Sequence, residues 1–223
     1  LNNLKHLSID MCDSGRGSDD RFKDFFQYLT NSVACHKKLE TFLIKTIVKI
    51  QKKQDENPAL CFFEACSETL RKVHFEFKCY SANSEEAEYF YEGLSKLKNL
   101  QSLSLSLDFV SNKQIGKLCL IMSEMKLLEE VDFNIRNQMG EKMNLKFPLQ
   151  LRKLSLSIGN PSFEVSETLW PLSNLIHLEL ESTEFCSQKW RKVLCCMTEK
   201  LKILEILILK KTQKIGSLKE MSE

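Results

Sequence analysis

One short phrase, LxxLxL, recurs eight times along this chain, and a chain built on it has few ways to fold. The first four copies run Leu4-Lys5-His6-Leu7-Ser8-Ile9, Leu39-Glu40-Thr41-Phe42-Leu43-Ile44, Leu70-Arg71-Lys72-Val73-His74-Phe75 and Leu100-Gln101-Ser102-Leu103-Ser104-Leu105. The others begin at Leu128 (with Val131 and Phe133), Leu151 (Leu154, Leu156), Leu175 (Leu178, Leu180) and Leu204 (Leu207, Leu209). First leucines are 35, 31, 30, 28, 23, 24 and 29 residues apart. A further apolar residue three positions earlier (Leu1, Leu97, Met125, Leu172, Leu201) extends many copies. Side chains alternate between the two faces of a strand, so the fourth and sixth positions turn inward and the third, fifth and seventh face solvent. A single copy cannot bury its apolar face alone. Stacking eight builds a continuous core, with a parallel sheet on one side and connecting helices on the other.

The connectors carry helix start signals. Ser18 or Asp19 can cap a helix holding Phe22, Phe25, Phe26 and Leu29, and Asn57 with Pro58 opens one holding Leu60, Phe62 and Phe63. Asn83 with Glu86 and Ser111 with Gln114 read as capping boxes, and Ser187 can begin a helix through Trp190, Val193, Leu194 and Met197. The stretches 136–150 and 159–174 differ: Gly140, Pro148, Gly159, Pro161 and Pro171 break them, so no long helix fits and a change of curvature is expected there.

These phrases and spacings resemble the leucine-rich-repeat family, and the longer units resemble its ribonuclease-inhibitor-like branch. The resemblance covers nearly the whole chain. It implies an α/β solenoid of about eight repeats, residues 1–223 forming a single domain, with a curved parallel sheet on the concave side and helices on the convex side; because Leu1 already lies inside a repeat phrase and is not an initiating Met, that domain is expected to be part of a longer protein. The family often places Asn or Cys eight residues after the first leucine. Here that slot holds Cys12, Ile47, Lys78, Asp108, Arg136, Gly159, Thr183 and Thr212, with Cys79, Asn137 and Asn160 one residue late. Only Cys12 matches in place, so shifted turns and an uneven polar ladder are expected.

Composition removes several function classes. Thirty-two basic against 30 acidic residues leave a net charge of +2, far from the one-sided field of a nucleic-acid binder. Lysines outnumber arginines 26 to 6, which favours solvated charge over bidentate phosphate recognition. The longest apolar runs, such as Leu118 to Met122 and Ile206 to Leu209, are too short to cross a bilayer. Nine cysteines, an odd number without a CxxC pair, fit a reducing intracellular compartment such as the cytoplasm; a cytoskeletal or ciliary association is what the family resemblance adds. Several lie in apolar strings (Leu118-Cys119-Leu120, Leu194-Cys195-Cys196-Met197) and read as small buried hydrophobes.

The strand register predicts the solvent face as rows of three: His6/Ser8/Asp10, Thr41/Leu43/Lys45, Lys72/His74/Glu76, Ser102/Ser104/Ser106, Glu130/Asp132/Asn134, Lys153/Ser155/Ser157, His177/Glu179/Glu181 and Ile206/Ile208/Lys210. His74, Ser104 and Asp132 share a column, but with serine in the middle the order is wrong for an acyl-transfer triad. His177 with Glu179, or His74 with Glu76, supplies two metal ligands without a third in line. Gly15-Arg16-Gly17 reads as a flexible connector. No catalytic residue, metal or cofactor is therefore expected.

The expected function is that of a non-catalytic protein-interaction module, a scaffold or subunit of a larger intracellular assembly. Its expected partner is a protein, with no nucleic acid, membrane insertion or small-molecule substrate. Candidate binding residues are His74, Glu76, Glu130, Asp132, Asn134, His177, Glu179, Glu181, Ile206 and Ile208. The rows are poor in the Trp, Tyr and Arg that anchor tight interfaces. Ile206 and Ile208 break an otherwise polar face, which calls for a cover, either the chain's own residues after Thr212 or a partner, unless the register slips. The first strand likewise calls for a neighbour. Family resemblance keeps two alternatives open: the recognition arm of an F-box-type ubiquitin-ligase adaptor, and a GTPase-activating or regulatory domain of a larger enzyme, with Arg16 and Arg21 as the loop arginines to examine.

Overall fold

Each copy of the phrase becomes a strand that starts two residues after its first leucine. The strands are β1 His6–Met11, β2 Thr41–Thr46, β3 Lys72–Phe77, β4 Ser102–Asp108, β5 Glu130–Arg136, β6 Lys153–Ile158, β7 His177–Ser182 and β8 Ile206–Lys211. They come from a computed structural model that describes residues 4–11, 27–29, 31, 38–46, 58–77, 86–108, 112–136, 145–158, 168–182, 194, 197 and 201–211. All eight form one open parallel sheet in chain order. Its register never shifts: His6, Thr41, Lys72, Ser102, Glu130, Lys153, His177 and Ile206 pair in succession. The slipped register considered for the last strand is thereby excluded.

A recurring backbone joint pins that register. The carbonyl of the second phrase residue accepts two N–H groups from the next copy: Lys5 O from Glu40 and Thr41, Glu40 O from Arg71 and Lys72, and so on to Ile176 O from Glu205 and Ile206, at 2.8–3.1 Å. Each first leucine from Leu100 onward also closes a tight turn, its N–H donating to the carbonyl three residues back at 3.1–3.2 Å. Because both joints precede the strand, connectors of different length enter the sheet at the same level.

Three helices are described: α1 Pro58–Cys66, α2 Glu86–Ser95 and α3 Asn112–Glu124. Pro58 opens α1 as the sequence predicts, where its missing N–H costs nothing. The second and third begin at Glu86 and Asn112, beside the expected capping boxes, although Asn83 and Ser111 lie outside the described residues. Ile115, Leu118, Cys119 and Met122 recur at helical spacing and are all buried. The predicted helix starts at Ser18 or Asp19 and at Ser187 also lie outside the described residues, though Leu29 and Met197 are buried.

Alternation works as expected in the middle of the sheet. Phe42, Ile44, Val73, Phe75, Leu103, Leu105, Val131, Phe133, Leu154, Leu156, Leu178 and Leu180 are buried, as are the first leucines from Leu39 to Leu175. These residues and the helices form one continuous core. Full burial of such a side chain contributes about 1.5–3 kcal/mol, so the phrase itself supplies the dominant stabilising term. An aromatic knot ties β2 and β3 to α1 and α2: Phe42 lies 4.8 Å from Phe62, Phe63 5.6 Å from Phe75, and Phe75 4.7 Å edge-on from Phe90. The helices approach so closely there that Gly93 of α2 leaves no room for a Cβ beside the Phe63 ring.

The shortened connectors solve the burial problem differently. Leu145 and Phe147 enter the core from a stretch that is neither helix nor strand over residues 145–148, Phe147 meeting Phe133 at 6.3 Å and 90°. Backbone groups of this stretch find partners elsewhere: Lys146 N–H donates to Cys119 Sγ at 3.4 Å, and Leu145 O accepts from the Thr168 hydroxyl at 3.1 Å.

Candidate protein-binding face

The side of the sheet away from the helices carries the predicted rows. With no register offset, third, fifth and seventh phrase residues form three straight columns across the strands. Neighbours in a column sit about 4.8 Å apart, close enough for side chains on adjacent strands to pair. Glu76 is half-buried and takes Lys45 Nζ at 3.6 Å. The Ser104 hydroxyl donates to Asp132 Oδ2 at 2.9 Å. Glu179 is half-buried and accepts from Lys210 Nζ, which raises the lysine pKa above its ordinary value through that hydrogen bond and the carboxylate charge.

The column His74, Ser104, Asp132 has the order read from the sequence, and the Ser104 hydroxyl donates its hydrogen bond to the carboxylate on the side away from His74. His74 is half-buried, and that burial lowers its pKa; Asp132 and Glu76 oppose the shift, while Lys45 adds to it. His177 is half-buried with its Nε2 enclosed and without a hydrogen-bond partner among the described residues. Its column neighbour on β8 is Ile206, which offers no polar group. Glu130, Asn134 and Glu181 are half-buried and Asp132 is exposed. The face therefore changes character along its length. Carboxylates at Glu130, Asp132, Glu179 and Glu181 dominate β5 and β7, and serines at 102, 104, 106, 155 and 157 fill β4 and β6 between charged neighbours.

At β8 both isoleucines keep the outward register expected of them. Ile206 faces outward and is 45% exposed, whereas Ile208 is half-buried. Leu207 and Leu209 hold the inward register but are 43% and 40% exposed, so their strand is not covered like the others. At the opposite end Leu4, Leu7 and Ile9 are only partly buried against the core. Both edge strands are thus less enclosed than the six between them.

Two features escaped the sequence reading. An amide immediately before the first leucine ties copies together: Asn99 Nδ2 donates to Glu68 O at 3.3 Å, Gln150 Nε2 to Met125 O at 2.8 Å, and Asn174 Nδ2 to Leu149 O at 3.1 Å. These amides stand one residue before the leucine, not eight residues after it where the resemblance places a polar ladder. The segments that lead into these strands also expose Leu127, Leu149, Trp170 and Ile203.

Among the described residues no group of three or more His, Cys, Asp and Glu is placed to hold a metal ion, and no helix is long and apolar enough to cross a membrane. Cys66 and Cys119 are buried free thiols and Cys61 an exposed one; burial pushes the Cys66 pKa up to about 12. Cys195 and Cys196 of the second apolar string, like Arg16 and Arg21, lie outside the described residues. No protein-family model matches the chain, and no curated protein matches its sequence.

Proposed function

We propose that the chain is a leucine-rich-repeat solenoid of the ribonuclease-inhibitor-like kind, with eight repeats, and that it is a non-catalytic module that binds another protein. The observation that carries this reading is the unbroken register of eight strands, which lines up their outward side chains as one continuous surface. Seven strand spacings make that surface roughly 34 Å long, enough for about ten residues of an extended partner segment. Its charged and small polar groups favour a polar, specific interface over a greasy one. Buried free thiols at Cys66 and Cys119 suit an intracellular scaffold kept in a reducing compartment.

Affinity purification of the protein beside a variant carrying Glu130→Lys, Asp132→Lys and Glu179→Lys tests the proposal. The expected result is loss of at least one specific partner with an unchanged thermal transition. Retention of every partner by a folded variant would reject this face as the binding surface.

A further inference from the structure

We propose that the middle column of the outward face is a lane for a basic segment of the partner protein. The segment lies across the strands in a polyproline-II form and carries two cationic residues three positions apart, one on Asp132 and the other on Glu179. This rests on the protein-binding reading above and names the chemistry of what is bound. The occupant is argued from charge and spacing. Lysines on the face stand only in the outer columns, Lys72 and Lys153 at third positions and Lys45 and Lys210 at seventh positions. From β3 to β8 the fifth-position column reads His74, Ser104, Asp132, Ser155, Glu179 and Ile208, so its only fixed charges are the two carboxylates. Burial lowers the His74 pKa below its ordinary value of 6.5, so that ring is largely uncharged at neutral pH and is no counter-ion for Asp132.

Two other carboxylates of the face are met from the neighbouring strand, Glu76 by Lys45 at 3.6 Å and Glu179 by Lys210. Asp132 is not. It is exposed, has a serine on each side in its column, and among the described residues receives only the Ser104 hydroxyl. The Lys210 ammonium, while bound to Glu179, is also stabilised by the charges of Glu181 and Asp132, so β5 to β7 share one negative field that already holds a cation. A carboxylate accepts from several donors, so Glu179 can keep Lys210 and take a second cation. Spacing then sets the conformation of the segment. Asp132 and Glu179 stand two strand spacings apart, about 9.6 Å. A polyproline-II chain returns a side chain to the same face every three residues, about 9.3 Å. An extended β segment does so every two residues, about 6.8 Å, and misses the second carboxylate. Arginine fits best, because its planar fork meets a carboxylate bidentately. A segment laid along β5 would use Glu130 and Asp132 instead, but Lys153 stands beside Glu130.

Fluorescence anisotropy of a labelled peptide, Arg-Pro-Pro repeated three times, titrated with the full chain at low salt, reads this directly. The expected result is saturable binding, weakened on the order of tenfold by Asp132→Asn or by Glu179→Gln, the weight of one hydrogen bond to a charged group. Glu92→Gln, at an exposed position of α2, should leave it unchanged. A peptide of the same composition with its arginines contiguous should bind several-fold less tightly, and one with glutamate in place of arginine should not bind. Circular dichroism checks each fold. Where Asp132→Asn does not fold, Ser155→Lys, which puts a cation between the two carboxylates, takes its place with the same loss expected. Equal affinity for the two arginine peptides, an equal loss on Glu92→Gln, or no binding of either peptide overturns the proposal. Loss on Glu130→Gln without loss on Glu179→Gln also overturns it, in favour of an extended segment along β5. Partner capture by the unsubstituted protein, and its loss from the triple variant above, judge the protein-binding reading separately, so that reading survives a failed peptide.

Discussion

Two glycines in neighbouring helices provide a controlled test of how tightly the helical layer is packed. Glycine in a helix interior is less favourable than alanine by roughly 0.5–1 kcal/mol, so propensity alone makes both Gly93→Ala and Gly116→Ala stabilising. The surroundings separate them. A Cβ at Gly116 meets nothing within 4 Å, and the full propensity gain, about 1 kcal/mol at most, should appear there. A Cβ at Gly93 would instead overlap the Phe63 ring and stand 3.4 Å from the Leu60 Cα. That ring cannot swing aside easily, since Phe62, Phe75 and Phe90 hold it at centroid distances of 5.5, 5.6 and 6.0 Å. Overpacking a filled core costs about 1–3 kcal/mol, which outweighs the propensity term. Urea denaturation of both variants is therefore expected to move in opposite directions, Gly116→Ala to a higher midpoint and Gly93→Ala to a lower one. A Gly93→Ala midpoint equal to or above that of Gly116→Ala would show that α1 and α2 are not in the close approach described, and the reasoning would fail.

Three further outcomes follow from the same structure. Asn174→Ala removes the hydrogen bond to Leu149 O and should cost about 1 kcal/mol in the denaturation midpoint, whereas alanine at exposed Lys202, for which no such tie is described, should cost less than half as much; equal effects would refute a role for the amide ladder. Brief maleimide treatment of the native protein, followed by peptide mapping, should modify Cys61 and spare Cys66 and Cys119, and labelling of Cys66 at a rate matching Cys61 would contradict its burial. Because burial lowers the His74 pKa below its ordinary value of 6.5, the unfolded chain binds more protons over that interval, so stability should decline as pH falls below about 6.5. His74→Gln should flatten part of this decline in urea midpoints measured at successive pH values; an unchanged slope would remove His74 from the cause.

The strands were legible because the phrase writes their period directly. Leu103 and Leu105 alternate with serines, and nothing in between competes with the pattern. Pro58 marked a helix start for an equally local reason. What the residues could not reveal was which carbonyl each turn amide would reach, because Asn99 and Glu68 are brought together only when successive copies stack. Nor could alternation reveal that Leu207 and Leu209 would be half open, since being inward is a property of the strand and being covered is a property of its neighbour. The candidate face was readable to the same extent: its rows follow from the register, whereas the links from Ser104 to Asp132 and from Lys210 to Glu179 required the strands to be set side by side.

The doubly occupied carbonyl that precedes every strand but the last also bears on how the molecule comes apart. Each such joint connects one copy only to the next, so the loss of an end strand breaks one joint and leaves the others intact. Mechanical load or heat then acts as on a zipper whose teeth release in order, starting where the fewest apolar atoms are enclosed. Among the described strands β8 has the least enclosed inward leucines, whereas β2 and β3 are held by the aromatic knot.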